Sequence, residues 1–403
     1  MLLSSSARFG FHTFVSFLCL TKLIPYSWNR KRCQLTHSKG FGLFIFHLHS
    51  TITFLLCLAV NYRICRAYLG TDKKFTLVQK VMGVFGAAGH AITALAFIQL
   101  ELQRVEVMEF CNRVLSNLEK EIPHSPKSKT YSLEKVECYE KHRKVLTRHM
   151  LIGLIMMITN IPIHAMQVSQ FAASSPCAPY LITSFYFDCK TYEQNDVPAD
   201  QLFFLLFPEF YTVTKFLIMN FFFWTFLITG LGITRNGYKD SQDSQRDRIV
   251  AYRSVQLFGT ILNGSLWFYL SFFSHILFFI MSLLLFGTIR LWKVDPRVSL
   301  TYPGCGFRCG YEVLSPMIIA GKVDTASGNV LSDMKDVVTR IAVNKKGMRK
   351  NNKILAKMYK SCKGLQCNAG NFFMFTNFFV ISSLDGVVET TFDLLVTFKD
   401  EAV

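Results

Sequence analysis

Apolar residues in this chain gather in long runs bounded by Lys, Arg, Gly or Pro, without the period-two alternation of half-buried strands. Runs at about 41–60, 80–100, 149–167, 204–232 and 266–289 are each long enough to cross a bilayer as a helix, which takes about 20 mostly apolar residues. The fourth is too long for one perpendicular crossing and too short for two. It holds Glu209 and Lys215, so one end is expected to project or to tilt. A weaker patch, 311–321, carries Gly310, Pro316 and Gly321 at its edges and centre and is a poor helix on propensity. The final run, residues 370–399, reads GNFFMFTNFFVISSLDGVVETTFDLLVTFK. Three carboxylates interrupt it, Asp385, Glu389 and Asp393, spaced four residues apart and so sharing one helix face. An ionisable group facing lipid costs several kcal/mol, so that face should meet protein, a partner subunit or water. A buried or interfacial helix satisfies the same pattern, but the basic cluster before the run and the short tail after it favour a span.

The segments between the runs look helical. Residues 101–120 place Leu102, Val105, Met108 and Leu115 on one side among mixed charges, and 331–361 repeat apolar residues at helical spacing with a break near Gly347. Such amphipathic helices suit a bundle below the membrane or a subunit interface. Residues 1–39 contain six basic residues and no acid. The run 9–20 is short, Lys22 follows at once and no small-residue cleavage site is present, so an amphipathic segment at the membrane surface is expected there, not a signal peptide.

Charge then sets the orientation. If the weak patch crosses, there are seven spans, and with the N-terminus inside, 32 of the 44 Lys and Arg fall in inner segments and 11 in outer ones, Lys215 lying within a span. Cytoplasmic loops collect basic residues, so an inside N-terminus and an outside C-terminus are expected. With six spans the basic stretch 322–363 would lie outside. The net charge of +17 is thus assigned to membrane topology and not to nucleic acid. Cys177 and Cys189 fall in one outer loop and Cys305 and Cys309 in another, where disulfides persist. A Cys177–Cys189 bridge, a pairing across the loops, and free thiols all fit the spacing. Cys362 and Cys367, on the inner side, read as ordinary thiols, and the sequon at Asn263 sits at an inner edge, where it stays unmodified. There is no Walker loop, dinucleotide fingerprint, paired-Cys zinc pattern or HExxH helix, so no enzyme activity, cofactor or metal site is expected.

The layout and the end of the last run resemble the arthropod gustatory receptors, relatives of the insect odorant receptors. That family closes its last span with Thr-Tyr, five apolar residues and Gln-Phe; here Thr390-Thr391, residues 392–396 and Thr397-Phe398 stand in those places. Thr390 and Phe398 keep the motif, Thr391 and Thr397 replace the Tyr and the Gln, and Asp393 intrudes among the five, the pattern of a divergent member. Gly370-Asn371-Phe372-Phe373 is similar to the family's entry to that span, and residues 23–26 to its segment before the first.

The resemblance implies an all-α membrane protein of seven transmembrane helices, with the last lining the pore of a homotetramer or of a heteromer with related receptors. It implies a ligand-gated, non-selective cation channel in the plasma membrane of a chemosensory neuron, opened by a small-molecule tastant. The chain would divide into a cytoplasmic segment 1–40, a peripheral ligand-binding region 41–367 with cytoplasmic extensions for assembly, and a pore region 368–403. Carried over by motif position, Leu394, Thr397, Phe398 and Thr390 would form the pore and gate, with Asp385, Glu389 and Asp393 beside it. Within the spans, His90, His164, Tyr211, Trp267 and Tyr269 are candidate ligand contacts, since aromatic walls with a few polar groups suit small-molecule sites; the ordinary role of such a residue taken alone is packing or an inter-helix hydrogen bond. Two other classes remain. A secondary transporter would show an internal repeat, which is not visible, and a G-protein-coupled receptor would need the opposite orientation.

Overall fold

The computed structural model describes residues 5–69, 77–119, 144, 147–164, 178, 181–182, 199–236, 245–291, 301–343, 350–370 and 372–399. The chain opens with helix α1, Ser5–Leu20. Phe11, Phe14, Val15 and Leu18 follow the i, i+3, i+4, i+7 spacing of a single face, and all four are buried. That face packs into the bundle, with the Phe11 ring 5.1 Å from Phe226 and Phe14 4.9 Å from Phe221. One face of the segment expected at the membrane surface thus packs into the core, while Phe9, Phe17 and Leu20 stay exposed. A hairpin that the apolar pattern does not announce comes next, β1 (Tyr26–Asn29) paired antiparallel with β2 (Gln34–His37). Its turn is closed by the Asn29 side chain, which accepts from the backbone N–H groups of Lys31 and Arg32.

Nine further helices follow among the described residues: α2 (Phe41–Leu69), α3 (Leu77–Leu102), α4 (Arg104–Glu119), α5 (147–164), α6 (Ala199–Asn236), α7 (Gln245–Arg290), α8 (Thr301–Val343), α9 (Lys350–Lys360) and α10 (Asn377–Thr397). Among the described residues, four stretches are long and apolar enough to cross a membrane: Phe41–Arg66, Leu77–Leu102, Phe207–Arg235 and Arg246–Arg290. The last helix, with its three carboxylates, is not among them. Asn112 of α4 holds the hairpin by pairing with both the N–H and the C=O of Leu35, at 2.7 and 2.9 Å.

Helix α7 is the hub, packing on α3, α4, α6, α8 and α10. Its contact with α3 is partly polar. The buried Gln99 amide donates to the Ser265 carbonyl at 2.7 Å and accepts from the Tyr269 N–H at 2.8 Å. These are the two groups that one helical turn ordinarily pairs with each other, so Gln99 is wedged into the α7 backbone ladder. Below this level a second apolar cluster joins Ile249, Tyr252 and Val255 to Val323, Met334 and Leu365, binding the extensions of α7 and α8 together. This is where the sequence expects inner amphipathic helices.

The weak sixth patch is the main departure from the sequence reading. It is the interior of a continuous 43-residue helix that includes Pro316 and begins at Thr301, so Cys305 and Cys309, expected in an outer loop, lie inside it. The glycines that lower its propensity sit at close approaches: a Cβ on Gly310 would meet Met281 at 3.4 Å, and one on Gly321 would collide with Asn377. Tertiary packing overrides propensity here, as it does for most helices in folded chains. Arg308, counted with the outer loop on sequence grounds, is consequently inside α8 and buried.

Candidate functional site

A cavity of about 120 Å³ lies among α3, α5, α6, α7 and α8. A single water needs roughly 10–15 Å³ on the same measure, so it has room for a small organic molecule. Met82, Phe85, Gly86, Gly89, His90 and Thr93 recur at helical spacing along α3 and form one wall. The facing wall is α6, through Glu209, Thr212, Val213, Phe216 and Leu217; α7 adds Leu277 and Ile280, and α8 adds Cys305, Arg308 and Cys309. Most of this surface is apolar, and the polar groups are few and buried, as small-molecule sites generally are.

Those polar groups are specific. Glu209 is 4% and Arg308 6% exposed. The Arg308 Nε donates to Glu312 one turn on, at 2.8 Å, and its guanidinium lies 5.7 Å over the Phe216 ring. Behind the α6 wall Lys215, 2% exposed, donates to Thr53 of α2 at 2.7 Å and lies 5.0 Å over Tyr211 and 5.7 Å over Phe97. Glu209 and Lys215 are noticed in the sequence only as charges that should push one end of the span outward. They are instead drawn into the protein, where buried charges need partners.

The residues selected from sequence as ligand contacts divide. His90 and His164 line the cavity, and His164 lies 3.7 Å from the Cys305 sulfur. Tyr211, Trp267 and Tyr269 do not line it. Tyr211 is tied through its hydroxyl to His49. Tyr269 is spent on packing, bonded to Asn220 and stacked 4.4 Å from Phe223. Trp267 lies against Gly370 on the far side of α7. Cys305 and Cys309 are free thiols one turn apart on α8, buried at the cavity: free thiols are one of the arrangements the spacing left open, and their expected place in an outer loop is corrected to a helix. Cys177 and Cys189 lie outside the described residues. Burial pushes the Cys367 thiol up to about 12, so it stays protonated and unreactive.

The last helix is the second feature. Thr376 caps it, accepting from the Phe379 N–H. Val380, Val387 and Thr391 are its buried residues, and the Thr391 hydroxyl also reaches the Ser282 carbonyl of α7 at 3.3 Å. Residues two apart on a helix point about 200° from one another, so Glu389 is turned away from Val387, and Asp393 from Thr391. Asp385, Glu389 and Asp393 are accordingly exposed, together with Ile381, Val388, Phe392 and Val396. Thr397 is exposed and Thr390 half-buried, while Leu394 and Phe398 lean on the bundle, the Phe398 ring 5.8 Å from Phe286. The carboxylates thus take the side of α10 that no described element covers, and the two large motif residues take the side towards the bundle.

No family model matches the chain, and no curated protein matches it. Among solved structures it is similar to the insect olfactory receptor OR5 from Machilis hrabei in complex with eugenol, at 12% identity and a TM-score of 0.64, over 97% of this chain and 99% of that one. The same receptor in a second structure gives 10% identity and a TM-score of 0.61, over 96% and 99%. At this identity and coverage the likeness is one of fold, and it extends from end to end: this chain is a helical protein with the fold of those insect olfactory receptor structures.

Proposed function

We propose that the protein is a chemoreceptor of the gustatory type that acts as a ligand-gated, non-selective cation channel. Seven spans run from an inside N-terminus to an outside C-terminus, and α10 of four identical or related chains surrounds one pore in the plasma membrane of a chemosensory cell. The carrying observation is α10 itself: a largely apolar helix whose uncovered face bears three carboxylates, which lipid would reject and a water-filled axis would accept. The fold likeness supports the same reading, and the solved relative was captured with a small molecule, eugenol.

In this reading the cavity holds the ligand, and Asp385, Glu389 and Asp393 draw cations to the axis. Leu394 and Phe398 hold the closed position by resting on α7, with Thr390 and Thr397 beside the water path. Gly89 offers a direct test. It borders the cavity, and a Cβ there meets nothing within 4 Å. Gly89→Leu should fill the cavity without clashing with its walls and, since Gly is the weaker helix former by ~1 kcal/mol, without loss of fold. Whole-cell currents evoked by a panel of small tastants should fall by about tenfold or more in a variant that reaches the surface. Unchanged currents would remove the cavity from the mechanism.

A further inference from the structure

We infer that Lys80 is a gating residue: its ammonium, lying over the Phe398 ring, ties the end of the pore helix to a wall of the ligand cavity while the channel is closed. The inference rests on the reading of α10 as the pore helix. The end of α10 is gripped from two helices. On the α7 side the Phe398 ring lies 5.8 Å from Phe286, and Arg290, one turn further along, donates to the Lys399 carbonyl at 2.7 Å. On the α3 side the Lys80 Nζ stands 5.9 Å from the centre of the same ring, within the range where a cation is drawn to an aromatic face. Lys80 and Phe398 are both half-buried, so the contact sits at the rim of the bundle and not in its core.

The same two helices wall the cavity. Met82, two residues after Lys80, begins the row that α3 turns to it, and Gly89 in that row lies about 14 Å along the helix from Lys80. On α7 the lining residues are Leu277 and Ile280, and Phe286 follows Ile280 by about 9 Å. The α7 side of the grip is firm: Phe286 is 1% exposed, and a Cβ on the adjacent Gly287 would meet the Tyr302 ring of α8 at 3.1 Å. The α3 wall has slack, since a Cβ on Gly89 meets nothing within 4 Å. A ligand that fills the cavity therefore displaces α3 more readily than α7, and α3 carries Lys80 away from the ring. The ring is not the only group that Lys80 meets, so replacing Lys80 removes more than this contact, and a second change at Phe398 is needed to isolate it.

The test needs no ligand: it is basal whole-cell current per channel at the surface, with surface expression measured in parallel. Lys80→Gln and Lys80→Cys should each raise it about two- to fivefold, the shift that a cation–π contact at an exposed site supplies when it is made in the closed state alone. Lys80→Arg keeps the cation and should hold the parent level. In Lys80→Cys, 2-aminoethyl methanethiosulfonate converts the thiol to a disulfide that carries an ammonium at about the reach of lysine, with methanesulfinate leaving. That treatment should return the basal current to the parent level, whereas methyl methanethiosulfonate, which adds no charge, should leave it raised; the parent is treated alongside. Phe398→Leu removes the ring and should itself raise the basal current, and adding Lys80→Gln to it should change nothing further. If Lys80→Gln matches the parent while Phe398→Leu does not, or if Lys80→Gln raises the current equally with the ring absent, the inference is overturned and the pore reading stands. If Phe398→Leu also matches the parent, the pore reading falls with it.

Discussion

Lys215 shows how a charge can sit inside this fold. Its hydrogen bond goes to the Thr53 hydroxyl, which itself donates to the His49 carbonyl at 2.6 Å, and two aromatic rings cover the ammonium. Removing the cation does not orphan Thr53, because its back-bond to α2 remains. Replacing a buried charge by an apolar side chain of similar volume is often neutral or stabilising. Lys215→Met should therefore unfold in detergent at a temperature no lower than the parent, as a thermal melt would record; a fall of several degrees would mean that the ammonium holds α2 to α6. In the sequence Lys215 is visible but its surroundings are only partly so: Tyr211 is one turn away on α6, while Thr53 and Phe97 lie on α2 and α3, far from it in the chain. Gln99 is still less legible. Nothing in a single apolar run tells that one amide will insert between Ser265 and Tyr269, 166 and 170 residues away.

At the scale of the element, α10 carries two stripes with separate consequences. Truncating Leu394 or Phe398 removes half-buried packing against α7, worth roughly 1–2 kcal/mol after allowance for exposure. If that packing is present only in the closed state, Leu394→Ala and Phe398→Ala each raise the open fraction about five- to thirtyfold. The measurement is basal current per channel at the surface, and equal currents in parent and variants would count against this contact as a latch. The opposite stripe should govern permeation. Glu389→Gln and Asp393→Asn are expected to lower cation conductance, most at low ionic strength, where fixed charge is least screened. The four-residue spacing of the acids made the shared face readable from sequence. Which way that face turns depended on Val387 and Thr391 finding α7, a tertiary fact.

The whole molecule was legible in outline and not in its joints. Runs of apolar residues marked the helices long and apolar enough to cross a membrane at 41–60, 80–100, 204–232 and 266–289, because a span must be apolar along its length. The helix through Pro316 was hidden, since close packing at Gly310 and Gly321 sustains it where local propensity does not. The burial of one face of α1 was hidden for a related reason: a short apolar run, 9–20, looks alike whether it lies on lipid or against Phe221 and Phe226. The topology has its own test. An epitope tag after Val403 should be reached by antibody on intact cells, and one before Met1 only after permeabilisation. A C-terminal tag hidden on intact cells would mean that α8 or α10 does not cross, and the pore would fall with it.

The approach to α10 has a mechanical consequence. Just before the helix the chain is pinned to α7: Asn263 bonds to the Gln366 carbonyl and the Asn368 N–H, Ser271 to the Ala369 carbonyl, and Trp267 closes on Gly370, whose φ of +57° suits glycine. The first turn is then pressed onto α8 at Gly321. A rod fastened at its root cannot slide along its axis; it can only pivot. Its 21 residues make an arm of about 30 Å, so a swing of about 5° at the root carries the tip through about 3 Å. Once the contacts of Thr391, Leu394 and Phe398 with the bundle and the Arg290–Lys399 hydrogen bond are released, the C-terminal end would travel furthest for the least disturbance within, a lever whose stroke is largest at Leu394 and Phe398 and almost nil at Thr376.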